Sequence, residues 1–142
     1  MGESQSDLNQ TVKRVSIFLS IFNVHINRAP VAGKVNYIEY HSGKFHNALE
    51  GESSIFNENN LIGMENHYSK ICVKQIAGMI ARRIVCYCSK GDEINAGDKI
   101  GLIKFGSRVE IYMPLETEIL VQLGQNVKGG ETIIGRLPNQ QL

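Results

Sequence analysis

The fold is decided by a glycine-rich stretch in the last third of the chain, Lys90-Gly91-Asp92-Glu93-Ile94-Asn95-Ala96-Gly97-Asp98-Lys99-Ile100-Gly101. A second stretch echoes it, Leu123-Gly124-Gln125-Asn126-Val127-Lys128-Gly129-Gly130-Glu131-Thr132-Ile133-Ile134-Gly135. In both, a glycine precedes a polar residue, and apolar residues recur between the glycines. Because glycine permits tight turns while the apolar positions point into a core, each copy predicts a compact β-hairpin.

Strand-forming residues are also concentrated upstream of this repeat. β-branched and aromatic residues are typical of buried or half-buried strands. The predicted strands cover residues 15–22, 35–40, 61–65 and 70–76. Residues 75–84 are predicted to form either a short helix or a bend between strands, and Gly78 disfavours the helix.

Two polar stretches complete the organisation. Residues 1–12 are predicted to be a mobile polar arm, and residues 41–60 a loop long enough to be functional. We therefore predict a single domain over residues 13–142, mainly β, with packed glycine-rich hairpins and at most a short helix. This architecture resembles the barrel-sandwich hybrid of biotinyl and lipoyl carrier domains.

The composition excludes several classes of protein. With 142 residues, 42% of them hydrophobic, the chain can bury one core. A net charge of +1 without a Lys/Arg block gives no reason to expect a nucleic-acid partner. An odd number of cysteines, three, argues against a disulfide framework and fits a reducing compartment. No stretch approaches the roughly 18 apolar residues of a membrane span, so we expect a soluble chain with at most peripheral membrane contact.

The histidines and cysteines do not predict a metal site. The spacing of the histidines fits no zinc motif; they are His25, His41, His46 and His67. Cys86 and Cys88 would place two thiols on one side of a strand without obvious partners, as buried structural cysteines also do.

One histidine and one pair of arginines are candidates for chemistry. Polar residues alternate with apolar ones from Asn23 to Pro30, which places His25 on a polar face with Asn23 and Asn27. His25 is either a hydrogen-bonded histidine at a strand end or a general acid/base, since histidine titrates near neutral pH. Arg82-Arg83 is either a solvated pair or an anion site, where a guanidinium fork suits a phosphate.

A Gly-Ser pair lies in the run Ile103-Lys104-Phe105-Gly106-Ser107-Arg108-Val109. One interpretation is a turn between strands, because Gly and Ser are ordinary turn residues. The other is a reactive pair, in which glycine exposes its carbonyl and the serine hydroxyl acts as a nucleophile once it is activated.

Four ordered motifs resemble the short-form bacterial and archaeal phosphatidylserine decarboxylases, over a match from about Val12 to about Gly135. They are Ser16-Ile17-Phe18-Leu19-Ser20-Ile21-Phe22-Asn23-Val24-His25-Ile26-Asn27-Arg28-Ala29-Pro30, Tyr40-His41-Ser42-Gly43-Lys44-Phe45, Gln75-Ile76-Ala77-Gly78-Met79-Ile80-Ala81-Arg82-Arg83-Ile84-Val85-Cys86, and Gly101-Leu102-Ile103-Lys104-Phe105-Gly106-Ser107-Arg108-Val109 with Ile111-Tyr112-Met113-Pro114. The last of these is similar to the self-cleavage region of that family.

The resemblance implies a proenzyme that cuts itself between Gly106 and Ser107 without hydrolysis. The Ser107 hydroxyl would attack the Gly106 carbonyl to give an ester, and elimination and hydrolysis would leave a pyruvoyl group in place of Ser107. The products would be a β chain, residues 1–106, and an α chain, residues 107–142, which stay packed together. Whether the assembly forms a homodimer is left open.

The same resemblance implies decarboxylation of phosphatidylserine to phosphatidylethanolamine at the cytoplasmic face of the cell membrane, through peripheral contact. The pyruvoyl ketone would condense with the lipid amine and serve as the electron sink that decarboxylation requires. His25 matches a family histidine and is the candidate acid/base. Arg28, Arg82 and Arg83 are candidates for binding the lipid phosphate or carboxylate.

This chain also departs from the family pattern. A Ser-Pro-Ala-Asp-Gly-like motif, whose aspartate is implicated in self-cleavage, is absent before Val15, Ser42 stands where proline is common, and Asn59 stands where arginine is usual. We therefore expect an N-terminally shortened proenzyme that processes poorly or not at all. Two alternatives are a non-catalytic lipid-binding remnant and a lipoyl- or biotinyl-type carrier, although Lys104 lies in an apolar run rather than at a hairpin tip.

Overall fold

The computed structural model describes residues 2–5, 11–19, 24–42, 58–77, 84–104, 108–127 and 132–138. Its strands are β1 Gly2–Gln5, β2 Thr11–Phe18, β3 Val24–Arg28, β4 Gly33–His41, β5 Asn59–Glu65, β6 Lys70–Ile76, β7 Ile84–Cys86, β8 Glu93–Ile94, β9 Lys99–Lys104, β10 Arg108–Pro114, β11 Glu118–Ile119 and β12 Gly135–Arg136. No helix occurs within these ranges, so the prediction of a mainly β fold is confirmed.

The strands form antiparallel sheets of seven, three and two strands. The large sheet has the order β1-β2-β10-β6-β5-β4-β8, and it stays open, with β1 and β8 at its edges. The small sheet has the order β3-β9-β7, and β11 pairs with β12. Since β9 and β10 are consecutive in the chain but belong to different sheets, the chain crosses between the sheets at residues 105–107.

The core lies where the small sheet packs on the large one. Ile100 and Ile103 of β9 are completely buried and belong to the same apolar cluster as Val35 of β4 and Ile62 of β5. Burying a side chain of this size stabilises the fold by about 1.5–3 kcal/mol. These contacts hold β9 in place between β3 and β7.

The glycine-rich repeat forms tight turns, as predicted. Gly91, Gly97 and Gly124 have φ values of 95°, 87° and 82°, a left-handed conformation that favours glycine. In each turn the side chain after the glycine accepts a hydrogen bond from the backbone N–H three residues earlier: Asp92 from Ser89 at 2.9 Å, Asp98 from Asn95 at 2.8 Å and Gln125 from Gln122 at 3.0 Å. The polar residue of the repeat is therefore part of the turn.

The pairing of the first repeat differs from the predicted hairpin. Its two strands do not pair with each other: β8 pairs with β4, whereas β9 pairs with β3 and β7. The turn at Gly97 thus carries the chain from the large sheet to the small one. The second repeat leads into β12, which pairs with β11, and its residues 128–131 lie outside the described residues.

The other predicted elements are placed as follows. The predicted strands at 35–40, 61–65 and 70–76 correspond to β4, β5 and β6. The strand predicted at 15–22 overlaps β2, which covers Thr11–Phe18, and residues 20–22 lie outside the described residues. Within the predicted polar arm, the backbone of Gly2–Gln5 pairs with β2 at the sheet edge, and the mobility of residues 1–12 stays a prediction.

Two further predictions fall on residues that are only partly described. Most of the predicted loop at 41–60, namely residues 43–57, lies outside the described residues, as do residues 78–83 of the predicted helix or bend. A helix able to traverse a bilayer is not found in the described part of the chain.

Candidate functional site

Five strands of the large sheet end or begin in one row. Phe18 ends β2 and pairs with Arg108, which begins β10; Arg108 pairs on its other side with Ile76, which ends β6. Ile76 pairs with Asn59 at the start of β5, and Asn59 pairs with His41 at the end of β4. The connections that follow or precede these residues therefore start from one edge of the sheet, which we call the processing edge.

The small sheet brings its own strand ends to the Gly-Ser connection. Lys104 ends β9 and pairs with Val24, which begins β3, and Ile84 begins β7 opposite Ile103. Only residues 105–107 separate Lys104 from Arg108 at the processing edge, and this length of chain spans at most about 14 Å. Gly106 and Ser107 lie in this connection, outside the described residues.

His25 lies on the strand next to the Gly-Ser connection. Its backbone pairs with Ile103 of β9, three residues before Gly106 in the chain. On the same strand the polar side chain of Asn27 is buried, whereas the apolar side chain of Ile26 is 44% exposed. The polar alternation of this strand is therefore no sign of a solvated face.

The three candidate arginines have different positions. Arg82 and Arg83 lie outside the described residues, within 78–83, and this segment joins Ile76-Ala77 at the processing edge to Ile84. Arg28 lies at the opposite end of β3, where its backbone pairs with Lys99 and its guanidinium donates to the Gly97 carbonyl at 3.0 Å. The structure does not bring Arg28 together with the Gly-Ser connection.

A buried carboxylate three residues after Ser107 was missed by the sequence analysis. Glu110 of β10 is 4% exposed and accepts hydrogen bonds from the Ser16 hydroxyl at 3.1 Å and the Tyr112 hydroxyl at 2.8 Å. Its carboxylate also lies 3.6 Å from the Arg14 guanidinium and 3.7 Å from that of Arg108. Burial, together with the neighbouring Glu110, raises the pKa of Tyr112, so this hydroxyl stays a donor.

This carboxylate cluster ties β2 to the start of β10. Ser16 and Arg14 come from β2, whereas Arg108 and Tyr112 flank Glu110 on β10. The Arg108 guanidinium also lies 6.0 Å from the centre of the Phe18 ring, within the range of a cation–π contact. The first residues after the Gly-Ser connection are therefore held by a charged network as well as by the sheet.

An apolar cleft of about 1030 Å³ opens between β2, β10 and the C-terminal residues. Its lining includes Val15 and Ile17 of β2, Arg28 of β3, and Val121 and Leu137. Because Phe18 and Leu19 also line it, the cleft reaches the processing edge.

The cysteines form no disulfide, and the described residues contain no group of three His, Cys, Asp or Glu side chains that could hold a metal ion. Burial, and to a smaller extent the neighbouring Cys86, raises the pKa of the Cys88 thiol to about 11. This thiol is therefore neutral at physiological pH and a poor nucleophile.

Comparison with known proteins supports the resemblance seen in the sequence. The model of a family described as phosphatidylserine decarboxylase matches residues 1–135. The chain belongs to this family. The family predicted from the four motifs is thus confirmed.

Several members of the phosphatidylserine decarboxylase family are close in sequence, and each is named phosphatidylserine decarboxylase proenzyme. That of Carboxydothermus hydrogenoformans is 54% identical over 125 residues, which are 87% of this chain and 59% of the relative. That of Prosthecochloris aestuarii is 48% identical over 125 residues, or 88% and 58% of the two chains. That of Desulfotalea psychrophila is 44% identical over 136 residues, or 95% and 64%.

The phosphatidylserine decarboxylase relatives are longer than this chain. The chain spans 59%, 58% and 64% of the three relatives, which is less than two thirds of each. No solved structure matches it.

Proposed function

We propose that this chain carries the self-cleaving and catalytic region of a pyruvoyl-dependent phosphatidylserine decarboxylase, which converts phosphatidylserine to phosphatidylethanolamine. The observation that carries the proposal is that Lys104 and Arg108, the described residues on either side of Phe105-Gly106-Ser107, end and begin paired strands of two different sheets. The family match supports the same chemistry.

Self-cleavage needs the Ser107 hydroxyl close to the Gly106 carbonyl. Attack converts the peptide bond into an ester and frees the Ser107 amine; elimination then releases the Gly106 carboxylate and leaves dehydroalanine, and uptake of water with loss of ammonia converts this residue into the pyruvoyl group. Lys104 and Arg108 are both held in paired strands, so we expect the three residues between them to have fewer conformations available than a free chain. Such restriction favours an intramolecular attack because less entropy is lost on reaching the reactive geometry.

The two products stay together in this proposal because β10 is an interior strand. After cleavage the chain that begins at residue 107 would place β10 between β2 and β6, with seven and five paired residues on its two sides. Val109, Ile111 and Met113 of β10 are buried in the common core. Residues 1–106 and 107–142 would therefore separate only on unfolding.

The pyruvoyl group would supply an electrophilic ketone that takes up the electrons of the departing carboxylate. Its fit to this chain rests on Ser107, the precursor, which directly precedes the pinned strand β10. We propose His25 as the acid/base, because its strand pairs with the last residues before the connection. Arg82 and Arg83 are proposed to bind the lipid phosphate, since their segment joins strands at the same edge. Arg28 lies at the far end of β3 from the connection, although it lines the same cleft as Phe18.

We propose that the processing edge meets the cytoplasmic face of the membrane peripherally. Phe18 is 76% exposed there, with the Arg108 cation beside its ring. Aromatic rings insert at the level of lipid head groups, and cations are attracted to the anionic lipids of the cytoplasmic leaflet. The head group of a bound lipid would then lie near the strands that lead to Ser107.

Formation of phosphatidylethanolamine tests the activity. Vesicles containing phosphatidylserine labelled in the serine carboxylate are incubated with the chain and with its Ser107→Ala variant. We expect labelled carbon dioxide from the parent chain alone. Vesicle binding without release of carbon dioxide would favour the non-catalytic lipid-binding remnant, and a lipoyl or biotinyl mass on a lysine would favour the carrier. Against the carrier, Lys104 ends a strand that does not pair with β10, so it is not at a hairpin tip.

A further inference from the structure

Three buried amide side chains form a hydrogen-bonded network beneath the processing edge. Gln75 of β6 is completely buried, and its Oε1 accepts a hydrogen bond from Asn60 Nδ2 at 2.9 Å. Its Nε2 donates to Asn27 Oδ1 at 2.8 Å and to the Val85 carbonyl at 3.3 Å. One side chain therefore connects β5 and β6 of the large sheet to β3 and β7 of the small sheet.

Strand β9 runs between these partners, and the absence of a side chain at its Gly101 leaves room for the network. A Cβ atom at Gly101 of β9 would lie 2.4 Å from Gln75 Nε2 and 2.3 Å from the Val85 carbonyl oxygen. Both distances are far below van der Waals contact, so only glycine lets the amide reach past β9. The network thus depends on Gly101 as well as on its three amide side chains, although these residues are distant in sequence.

Three members of the network lie next to a strand end at the processing edge, whereas Asn27 lies near the other end of β3, beside Arg28. Gln75 precedes Ile76, Asn60 follows Asn59, and Val85 follows Ile84. Asn27 lies two residues after His25 on β3. The network therefore joins the two sheets next to the place where the chain crosses between them.

We propose that Gln75 is a positioning residue for self-cleavage: its amide fixes β3, and His25 with it, against the strands that hold the Gly106-Ser107 connection. The link to self-cleavage rests on the proposed function. A buried amide whose three hydrogen bonds are all directional holds a strand in one register, which apolar contacts alone do less strictly. Loss of the amide is expected to loosen β3 and the end of β9 more than the rest of the sheet.

The test uses Gln75→Met, which keeps much of the volume but has no donor or acceptor of comparable strength. The matched control is Val35→Ala, a completely buried position of β4 that pairs with Met64, far from the processing edge. Hydrogen exchange is measured on both variants and on the parent chain. We expect amides of β3 and of residues 102–104 to exchange at least tenfold faster in Gln75→Met relative to those of β5, without this bias in Val35→Ala. An even increase along the chain in both variants would overturn the proposal.

A second measurement follows the His25 ring by NMR, with the signal assigned through His25→Gln. At a fixed pH, Gln75→Met is expected to change the ring chemical shifts of His25 and to leave those of His67 unchanged. Unchanged His25 ring shifts would contradict the positioning role. If Gln75→Met does not fold, Asn27→Ala removes only the link to β3 and is expected to act in the same direction with a smaller effect.

The rate of self-cleavage completes the test and separates this inference from the proposed function. If the parent chain cleaves, Gln75→Met is expected to slow cleavage about tenfold per folded molecule, whereas Val35→Ala leaves the rate unchanged. Equal rates for the two variants would overturn the positioning role. If the parent chain does not cleave, the self-cleavage proposed for this chain fails, in line with the expected poor processing, and the exchange and chemical-shift data still decide whether Gln75 positions β3.

Discussion

Lys104 and Arg108 belong to different sheets although only three residues separate them. Lys104 ends β9 in the small sheet, and Arg108 begins β10 in the interior of the large one. The connection between them holds the Gly-Ser pair that resembles a scissile bond. In an ordinary hairpin, the turn joins two strands that pair with each other. Lys104 and Arg108 instead belong to strands that do not pair, so the connection between them is not a hairpin turn.

The buried carboxylate of Glu110 is expected to contribute strongly to stability. Glu110→Gln removes the charge that faces Arg14 and Arg108 and replaces one acceptor by a donor. Because both arginines are partly exposed, we expect a loss of about 2 kcal/mol in the free energy of unfolding, the scale of a hydrogen bond to a charged group. Urea unfolding measures it. Glu118→Gln, which breaks an exposed ion pair with Arg136, serves as the control and should change stability by less than about 0.5 kcal/mol; equal effects would contradict the account.

Gly101 is expected to tolerate alanine less well than Gly91. At Gly101 the added methyl group meets the Val85 carbonyl and the Gln75 amide, so we expect a loss of about 3 kcal/mol from overpacking. At Gly91 there is open space, and alanine costs only the left-handed backbone conformation, about 1 kcal/mol. Thermal and urea unfolding of the two variants give the comparison. The reverse order would show that the amide network moves aside easily.

The raised pKa of Cys88 predicts a shifted pH dependence of thiol reactivity. Folding favours the neutral form of the Cys88 thiol, because the pKa is about 11 in the folded state and about 9 in the unfolded state. The contribution of this thiol to the free energy of unfolding is therefore fully present below pH about 9 and is lost as the pH rises to about 11. Iodoacetamide reacts with the thiolate, so the alkylation rate of Cys88, followed by peptide mass, should still rise tenfold per pH unit between pH 9 and 10. A plateau near pH 9 would show an unshifted thiol. Cys88→Ser confirms the assignment of the peptide.

Phe18 is expected to anchor the processing edge on vesicles. Phe18→Ser removes an exposed aromatic ring without breaking a buried contact, and we expect binding to phosphatidylserine vesicles to fall about tenfold, the effect of losing roughly 1.4 kcal/mol of interfacial burial. Tyr87→Ser, at an exposed position after the end of β7 farther from that edge, is the control and should bind as the parent chain does. Sedimentation with sucrose-loaded vesicles measures both. Equal losses would place the membrane contact elsewhere.

The sequence predicted those parts of the fold that depend on local pattern. The central strands β5 and β6 follow from their apolar and β-branched residues, and the turn glycines follow from the repeat. The partners of β8 and β9 could not be predicted, because pairing depends on strands far away in the chain. Nothing local distinguishes two strands that pair with each other from two strands that enter different sheets.

The buried polar groups were missed for a related reason. Glu110 lies among apolar residues on β10, which indicates either an exposed position or a buried ion pair, and only the approach of Arg14 and Ser16 decides between them. In the amide network, Gln75 bonds to Asn60 and Asn27, which are 15 and 48 residues away. From the sequence, the Gly-Ser pair, His25 and the arginines at 28, 82 and 83 are predicted as site residues, and these stay predictions that rest largely on the family resemblance.

The mass of the intact chain after prolonged incubation tests the central claim most directly. The departures from the family pattern predict slow processing, and the account predicts that part of the chain gives two species, which correspond to residues 1–106 and 107–142, with a ketone in place of Ser107 that borohydride reduces by adding two hydrogen atoms. Hydroxylamine, which cleaves an ester, should yield the shorter fragment with an intact serine from any trapped intermediate. Ser107→Ala should remain a single species. A parent chain that also stays at its full mass, with or without hydroxylamine, would contradict self-cleavage at Gly106-Ser107.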